Sequence, residues 1–188
     1  MDANQIRFAI FLGVFLLMLG LERVIQRHPT VDVKTRRLKI NLALTGIDIL
    51  VVRLFFGAAA VGAAQFAGER GWGLFNYLQW PEGLETLFCV VFLDLMIYIQ
   101  HVVMHMVPFF WRFHVVHHSD LDLDVSSGLR FHPIEILVSM LYKLGLVFAL
   151  GPSAMMVLIF EAILNGMSQF SHSNITLPES LDRLLRYV

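Results

Sequence analysis

An all-α integral membrane protein, with about four to five transmembrane or membrane-embedded helices, is the fold class this sequence predicts. Three observations carry it. The 188 residues are 57% hydrophobic and only 15% charged, with a mean hydropathy of +0.68, whereas a soluble domain is usually about 45–50% apolar and about 25% charged. The apolar residues gather into five long runs. The basic residues gather into one loop between the first two.

The first run, Ile6 to Leu21, lacks the basic leader and the small-residue cleavage site of a signal peptide, so it reads as a membrane helix. The second is Ile40–Ala67, the third Leu84–Ile99, the fourth Ile134–Leu150 and the fifth Ser153–Phe170. A helix crossing the hydrocarbon core needs about 20 apolar residues, so the third and fourth are short for a full crossing. Gly151-Pro152 reads as a tight turn between the last two. Without repeats or low-complexity tracts, the chain reads as one membrane domain. Residues 1–79 supply N-terminal helices and a basic loop, and residues 80–188 carry most of the histidines.

Loop charge sets an orientation. "ERVIQRHPTVDVKTRRLK" holds six of the fourteen Lys/Arg residues, which places it in the cytoplasm by the positive-inside rule. The following loop has one arginine, with Trp72, Phe75 and Tyr77 near Trp80, and suits the opposite interface. The third run then brings His101 back to the cytoplasmic side. The fourth and fifth form a hairpin that returns His172 to the same side.

Composition also excludes some functions. A net charge of −1 argues against a nucleic-acid partner, which would favour a basic face. Cys89 is the single cysteine, so there is neither a disulfide framework nor a thiolate metal knuckle. A metal site here must use nitrogen and oxygen ligands.

Five of the eight histidines lie in "QHVVMHMVPFFWRFHVVHHSD", residues 100–120. His101 and His105 share one helical face, and His114, His117 and His118 share another by their i, i+3, i+4 spacing. Asp94 lies seven residues before His101 on the same stripe. A carboxylate inside an apolar helix is costly and marks a functional candidate; its role would be to accept a hydrogen bond from a ligating imidazole. Neutral imidazole is a common metal ligand. HVVMH has Val102 where a zinc protease of the HExxH type has its general base. With His172, six imidazoles come from three segments, more than one tetrahedral zinc needs. That number suits two metal ions and points to iron and oxidative chemistry more than to hydrolysis. An interfacial patch of polar rings, a zinc-dependent membrane hydrolase and a non-catalytic metal-binding protein remain alternatives.

Asp94 with "YIQHVVMH", then "WRFHVVHHS", "LRFHPIEI" and "FSHSNI", together resemble the fatty acid hydroxylase/sterol desaturase superfamily, from about Trp80 onward. The resemblance implies a membrane-bound non-haem di-iron enzyme that uses O2 to hydroxylate or desaturate a lipid. It implies that His101, His105, His114, His117, His118 and His172 ligate two iron ions, with His132 of "RFHP" a further candidate. It names no catalytic side chain separate from these ligands. Electrons would come from a separate reductase, cytochrome or ferredoxin, since no GxGxxG fingerprint is present. The family pattern carries another HxxHH box, and no histidine follows His172. The chain is therefore expected to be a fragment of a longer protein, with its own metal site incomplete.

Three smaller expectations concern charged residues in or near the runs. Asp48 and Arg53 are expected to pair inside the second run. Glu161 and Asn165 share a helix face, suited to an interhelical hydrogen bond. "SDLDLD" reads as an acidic loop without the glycine and glutamate of a calcium-binding loop.

Overall fold

The computed structural model describes residues 3–57, 59–78 and 80–185. Gln79, at the boundary between the two expected regions, and residues 186–188, the end of "SLDRLLRYV", lie outside the described residues. Among the described residues all long elements are helices: α1 (Ala3–Val24), α2 (Lys34–Phe56), α3 (Ala59–Glu69), α4 (Phe75–Leu78), α5 (Glu82–Met106), α6 (Pro108–His118), α7 (Pro133–Leu150), α8 (Ala154–His172) and α9 (Glu179–Leu185), with a 3-10 turn at Ser127–Leu129. Five stretches, Gln5–Val24, Lys34–Glu69, Glu82–Met106, Pro133–Leu150 and Ala154–His172, are long and apolar enough to cross a membrane. The chain is an integral membrane protein.

Two of the apolar runs differ in detail from their sequence reading. The second becomes two helices, because α2 ends at Gly57 in a positive-φ conformation (φ 55°). The shorter α3 then packs against α7 and α8. The third run extends well past Ile99. At about 1.5 Å per residue, the 25 residues of α5 are enough for a full crossing. Its polar, histidine-bearing end continues the helix, which an apolar-run criterion stops short of.

The interior is small. Phe75, Cys89, Leu93, Leu150, Met156 and Phe160 form one buried cluster. Ala60, Val61 and Ala64 of α3 meet Val147 and Val157 in another. Small side chains let membrane helices approach closely, where lipid supplies no hydrophobic drive for association. Phe8, Leu16, Leu17, Leu54, Phe55, Leu87 and Val91 point outward, as a lipid-facing surface requires.

At the end remote from the histidines, Gly73 (φ 98°) and Gly151 (φ 67°) meet backbone to backbone. The Leu74 amide donates to the Ala149 carbonyl at 3.0 Å. A Cβ on Gly73 would stand 2.2 Å from the Gly151 nitrogen. Gly73→Ala is therefore expected to cost about 1–3 kcal/mol by overpacking, plus the strain of a left-handed residue. Thermal unfolding in detergent checks this.

The opposite end gathers the C-termini of α1, α5 and α8, the N-termini of α2 and α7, and all of α6. Polar bonds hold this convergence. Buried Glu22 of α1 accepts from the Val125 amide (2.6 Å), the Asn174 amide (3.1 Å) and the Lys34 ammonium (2.7 Å). Arg37 of α2 bonds the carboxylates of Asp120 (2.7 Å) and Asp124 (2.9 Å), the Ser127 hydroxyl (3.2 Å) and the Asp122 carbonyl. The "SDLDLD" loop thus turns its aspartates inward, while Leu121 and Leu123 face outward.

Candidate metal centre

Pro108 creates the geometry of the site. It has no amide hydrogen to continue α5, and it forces the preceding residue out of the helical region. Val107 is accordingly extended (φ −98°, ψ 114°) and Pro108 opens α6. The break turns α6 back on α5, so the two histidine faces meet. Ring centroids lie 4.7 Å apart for His101–His114 and for His105–His118, and 4.8 Å apart for His105–His114.

The nitrogens converge more tightly still. The Nε2 of His105 lies 3.2 Å from that of His101. The Nε2 of His118 lies 3.1 Å from those of His105 and His114. One ligand atom from each of the four lies within 4.8 Å of all the others. Two nitrogens held about 2.0–2.1 Å from one ion at the tetrahedral angle sit roughly 3.3 Å apart. Lone pairs facing each other at such distances repel unless a proton or a cation lies between them. The four imidazoles therefore fit a shared metal ion.

His117 and His172 form a separate pair, with Nε2 atoms 3.1 Å apart. Three of the six rings have Nδ1 engaged by an acceptor. His117 donates to the Arg130 carbonyl (3.1 Å) and His172 to the Ser168 carbonyl (2.7 Å). His114 donates to the Glu135 carboxylate at 2.6 Å. Each of these bonds leaves Nε2 free to face the site. Burial, then the neighbouring His172, pushes the His117 imidazole down to about 3. Burial and the adjoining rings also lower His118. Both shifts favour the neutral ring, the form that ligates metal. Trp111 covers one side, with its ring 5.3 Å from His105 and 5.6 Å from His118. Phe131 stacks on His117 at 4.8 Å. A cavity of about 470 Å³ opens beside His117, His118 and His172, with Asp120, Leu123 and Ser171 on its walls.

The remaining candidates lie elsewhere. His132 caps α7, its Nδ1 accepting the Ile134 amide at 3.1 Å, and its ring leans on Phe113. Asp94 is exposed on α5 and, among the described residues, is hydrogen-bonded to no histidine. Glu135 makes the carboxylate contact instead; a lone acid opening the fourth apolar run was its only sequence signal. Asp48 is buried and does not pair with Arg53, which is exposed. Five residues of helix turn the two side chains about 140° apart. Glu161 is paired across helices, with Lys143 of α7 (3.1 Å) and Arg7 of α1 (3.0 Å).

Comparisons with known proteins bear on this geometry. The chain is 28% identical over 123 residues to an alkylglycerol monooxygenase of Caenorhabditis elegans, covering 64% of this chain and 24% of that protein. It is 28% identical over 97 residues to the ornithine lipid hydroxylase OlsE of Rhizobium tropici, covering 52% of this chain and 29% of that protein. The chain thus spans less than a third of either relative's length. No solved structure matches it. The fatty acid hydroxylase family matches residues 86–187, from the start of the histidine-bearing helix through α9. Its members use iron, which the thiol-free, imidazole-rich donor set suits. This membrane chain with converging histidines belongs to the fatty acid hydroxylase family.

Proposed function

We propose that this chain carries the metal-binding region of a membrane-bound di-iron oxygenase that hydroxylates or desaturates a lipid. The convergence of six imidazoles, four in one group and two in another, carries the reading. His101, His105, His114 and His118 would hold one iron, and His117 and His172 would contribute to the second. His132, capping α7 beside the site, would shape its wall. When bound, iron supplies the capacity to activate O2 for oxidation of an unactivated C–H bond, given electrons from an external donor. The likeness to an alkylglycerol monooxygenase and an ornithine lipid hydroxylase supports a lipid substrate.

The protein's own contribution is to hold and shield. The Nδ1 hydrogen bonds of His114, His117 and His172 fix the ring orientations. Trp111 and Phe131 exclude water from two faces of the rings. Leu123 gives the cavity an apolar wall along which a lipid chain can lie. We place the site on the cytoplasmic side, where a soluble reductase or a cytochrome or ferredoxin can reach it. The six basic residues between Glu22 and Lys39, on the same end of the bundle as the histidines, support this side.

The test is metal analysis of the purified intact protein with assay of lipid oxidation. Bound iron with O2-dependent product is expected. Bound zinc with O2-independent turnover would overturn the reading. His117→Ala should abolish oxidation and lower bound iron; full turnover with retained iron would count against it.

A further inference from the structure

Glu135 is 5% exposed and, on the structure, carries an unusual charge balance. Its Oε1 accepts from His114 Nδ1 at 2.6 Å. Its Oε2 is buried and has no hydrogen-bond partner. Among the described residues, no lysine or arginine lies within ion-pair distance of it. A second buried acid, Asp48, lies near enough to interact with it, and its Oδ1 also lacks a partner. A buried carboxylate without a cation is expensive. The N-terminus of α7, where Glu135 sits in the first turn, offsets only part of that cost. Positive charge near His114 would offset the rest. A metal ion on the far nitrogen of the same imidazole would supply it.

The other two fixed rings differ. His117 and His172 donate Nδ1 to backbone carbonyls, which are neutral acceptors. An anionic acceptor pulls the Nδ1 proton and makes the opposite nitrogen a stronger donor to metal. We infer that Glu135 is the positioning residue of the four-histidine group: it fixes His114 with Nε2 toward its three neighbours and makes this position the more electron-rich of the two. The inference rests on the metal reading above. It adds that the two positions are unequal, and that an ion in the four-histidine group is the more easily oxidised.

The test is anaerobic Co(II) and Fe(II) titration of the full chain in detergent, comparing Glu135→Gln, Glu135→Asp, His114→Ala and His117→Ala. Glutamine keeps the size of the side chain and removes the charge. It should weaken Co(II) binding about 10–100-fold, shift the visible Co(II) bands, and move the Fe(III)/Fe(II) potential of the four-histidine position to a more positive value. Aspartate keeps the charge but withdraws it by one methylene, and should fall between the two. His117→Ala should move the four-histidine Co(II) spectrum less than Glu135→Gln does. The inference is overturned if His114→Ala loses the site while Glu135→Gln binds Co(II) with unaltered affinity and spectrum. It is equally overturned if Glu135→Gln only melts earlier, with the bound spectrum unmoved. Failure of the unsubstituted chain to bind either ion would overturn the metal reading itself, and the inference with it.

Discussion

Replacing Arg37 with alanine is expected to destabilise the protein by about 3–5 kcal/mol, the usual cost of removing one partner from a buried charge group. The Arg37 side chain is 3% exposed, and those of Asp120 and Asp124 are 5% and 2% exposed. Without the guanidinium, two carboxylates remain buried and uncompensated. The damage should spread to the metal centre. Asn41, bonded to Asp120 and Ser126, also accepts from Arg130 at 3.0 Å. Arg130 in turn holds the Val116 carbonyl (2.8 Å) and offers its own carbonyl to His117. Loosening the aspartate loop should therefore release His117 before it releases the four-histidine group. Arg37→Lys should be intermediate, because an ammonium keeps the charge but not the fork that reaches several acceptors at once. Thermal unfolding in detergent, with metal content measured beside it, checks both parts.

The same loop predicts acid sensitivity. Burial alone would raise the Asp120 carboxyl, but hydrogen bonds from Arg37, Ser127 and Asn41 outweigh it and hold it below its ordinary value of 3.8. The amides of Asp32 and Val31 hold Asp122 below 3.8 as well. Both pKa values are depressed in the fold. Their contribution is therefore fully present above about pH 4 and is lost as pH falls through the folded-state values. Unfolding monitored from pH 6 to pH 2 should show this loss, and Arg37→Ala should flatten it. A wild-type profile without an acid limb would contradict the assignment.

His118→Ala carries the second large effect. His118 Nε2 lies close to two others in the group, 3.1 Å from His105 and 3.1 Å from His114. Its loss leaves three imidazoles and opens a gap at the centre of the set. Metal affinity should fall by more than about 100-fold, beyond the roughly 10–100-fold typical of losing an outer contact. His132→Ala should leave affinity near the parent value, since His132 caps α7 outside the group, and should cost about 1 kcal/mol of stability through the lost cap. Isothermal titration with Co(II), paired with thermal unfolding, separates the two outcomes. Equal losses of affinity for His118→Ala and His132→Ala would contradict the grouping.

Much of this was legible in the sequence because it depends on local periodicity. Apolar runs name membrane helices whatever they pack against. A spacing of i, i+4 or i, i+3, i+4 puts histidines on one helical face before any neighbour is known. The segment bounds were less legible where polarity and helicity part company. Polar His101 and His105 extend α5 well past its apolar run, and Gly57 ends α2 inside a run that looks continuous.

Partnership across elements was not legible. Asp94 has the right spacing for an imidazole partner but faces away from the bundle, whereas Glu135, distant in sequence, arrives beside His114 because α7 packs on α6. Asp48 and Arg53 look like a pair on paper and point in different directions on the helix. "SDLDLD" gives no sign that its aspartates turn inward, because Arg37 comes from 83 residues earlier in the chain. By itself, then, the sequence determined the helices, the membrane and which side chains could ligate, since these follow from local chemistry along one chain. Only the tertiary structure decided that the six histidines divide four and two, and that a buried carboxylate stands behind one of them. Hydrogen bonds and metal coordination act over about 2–3 Å, and only the packed helices bring distant residues that close.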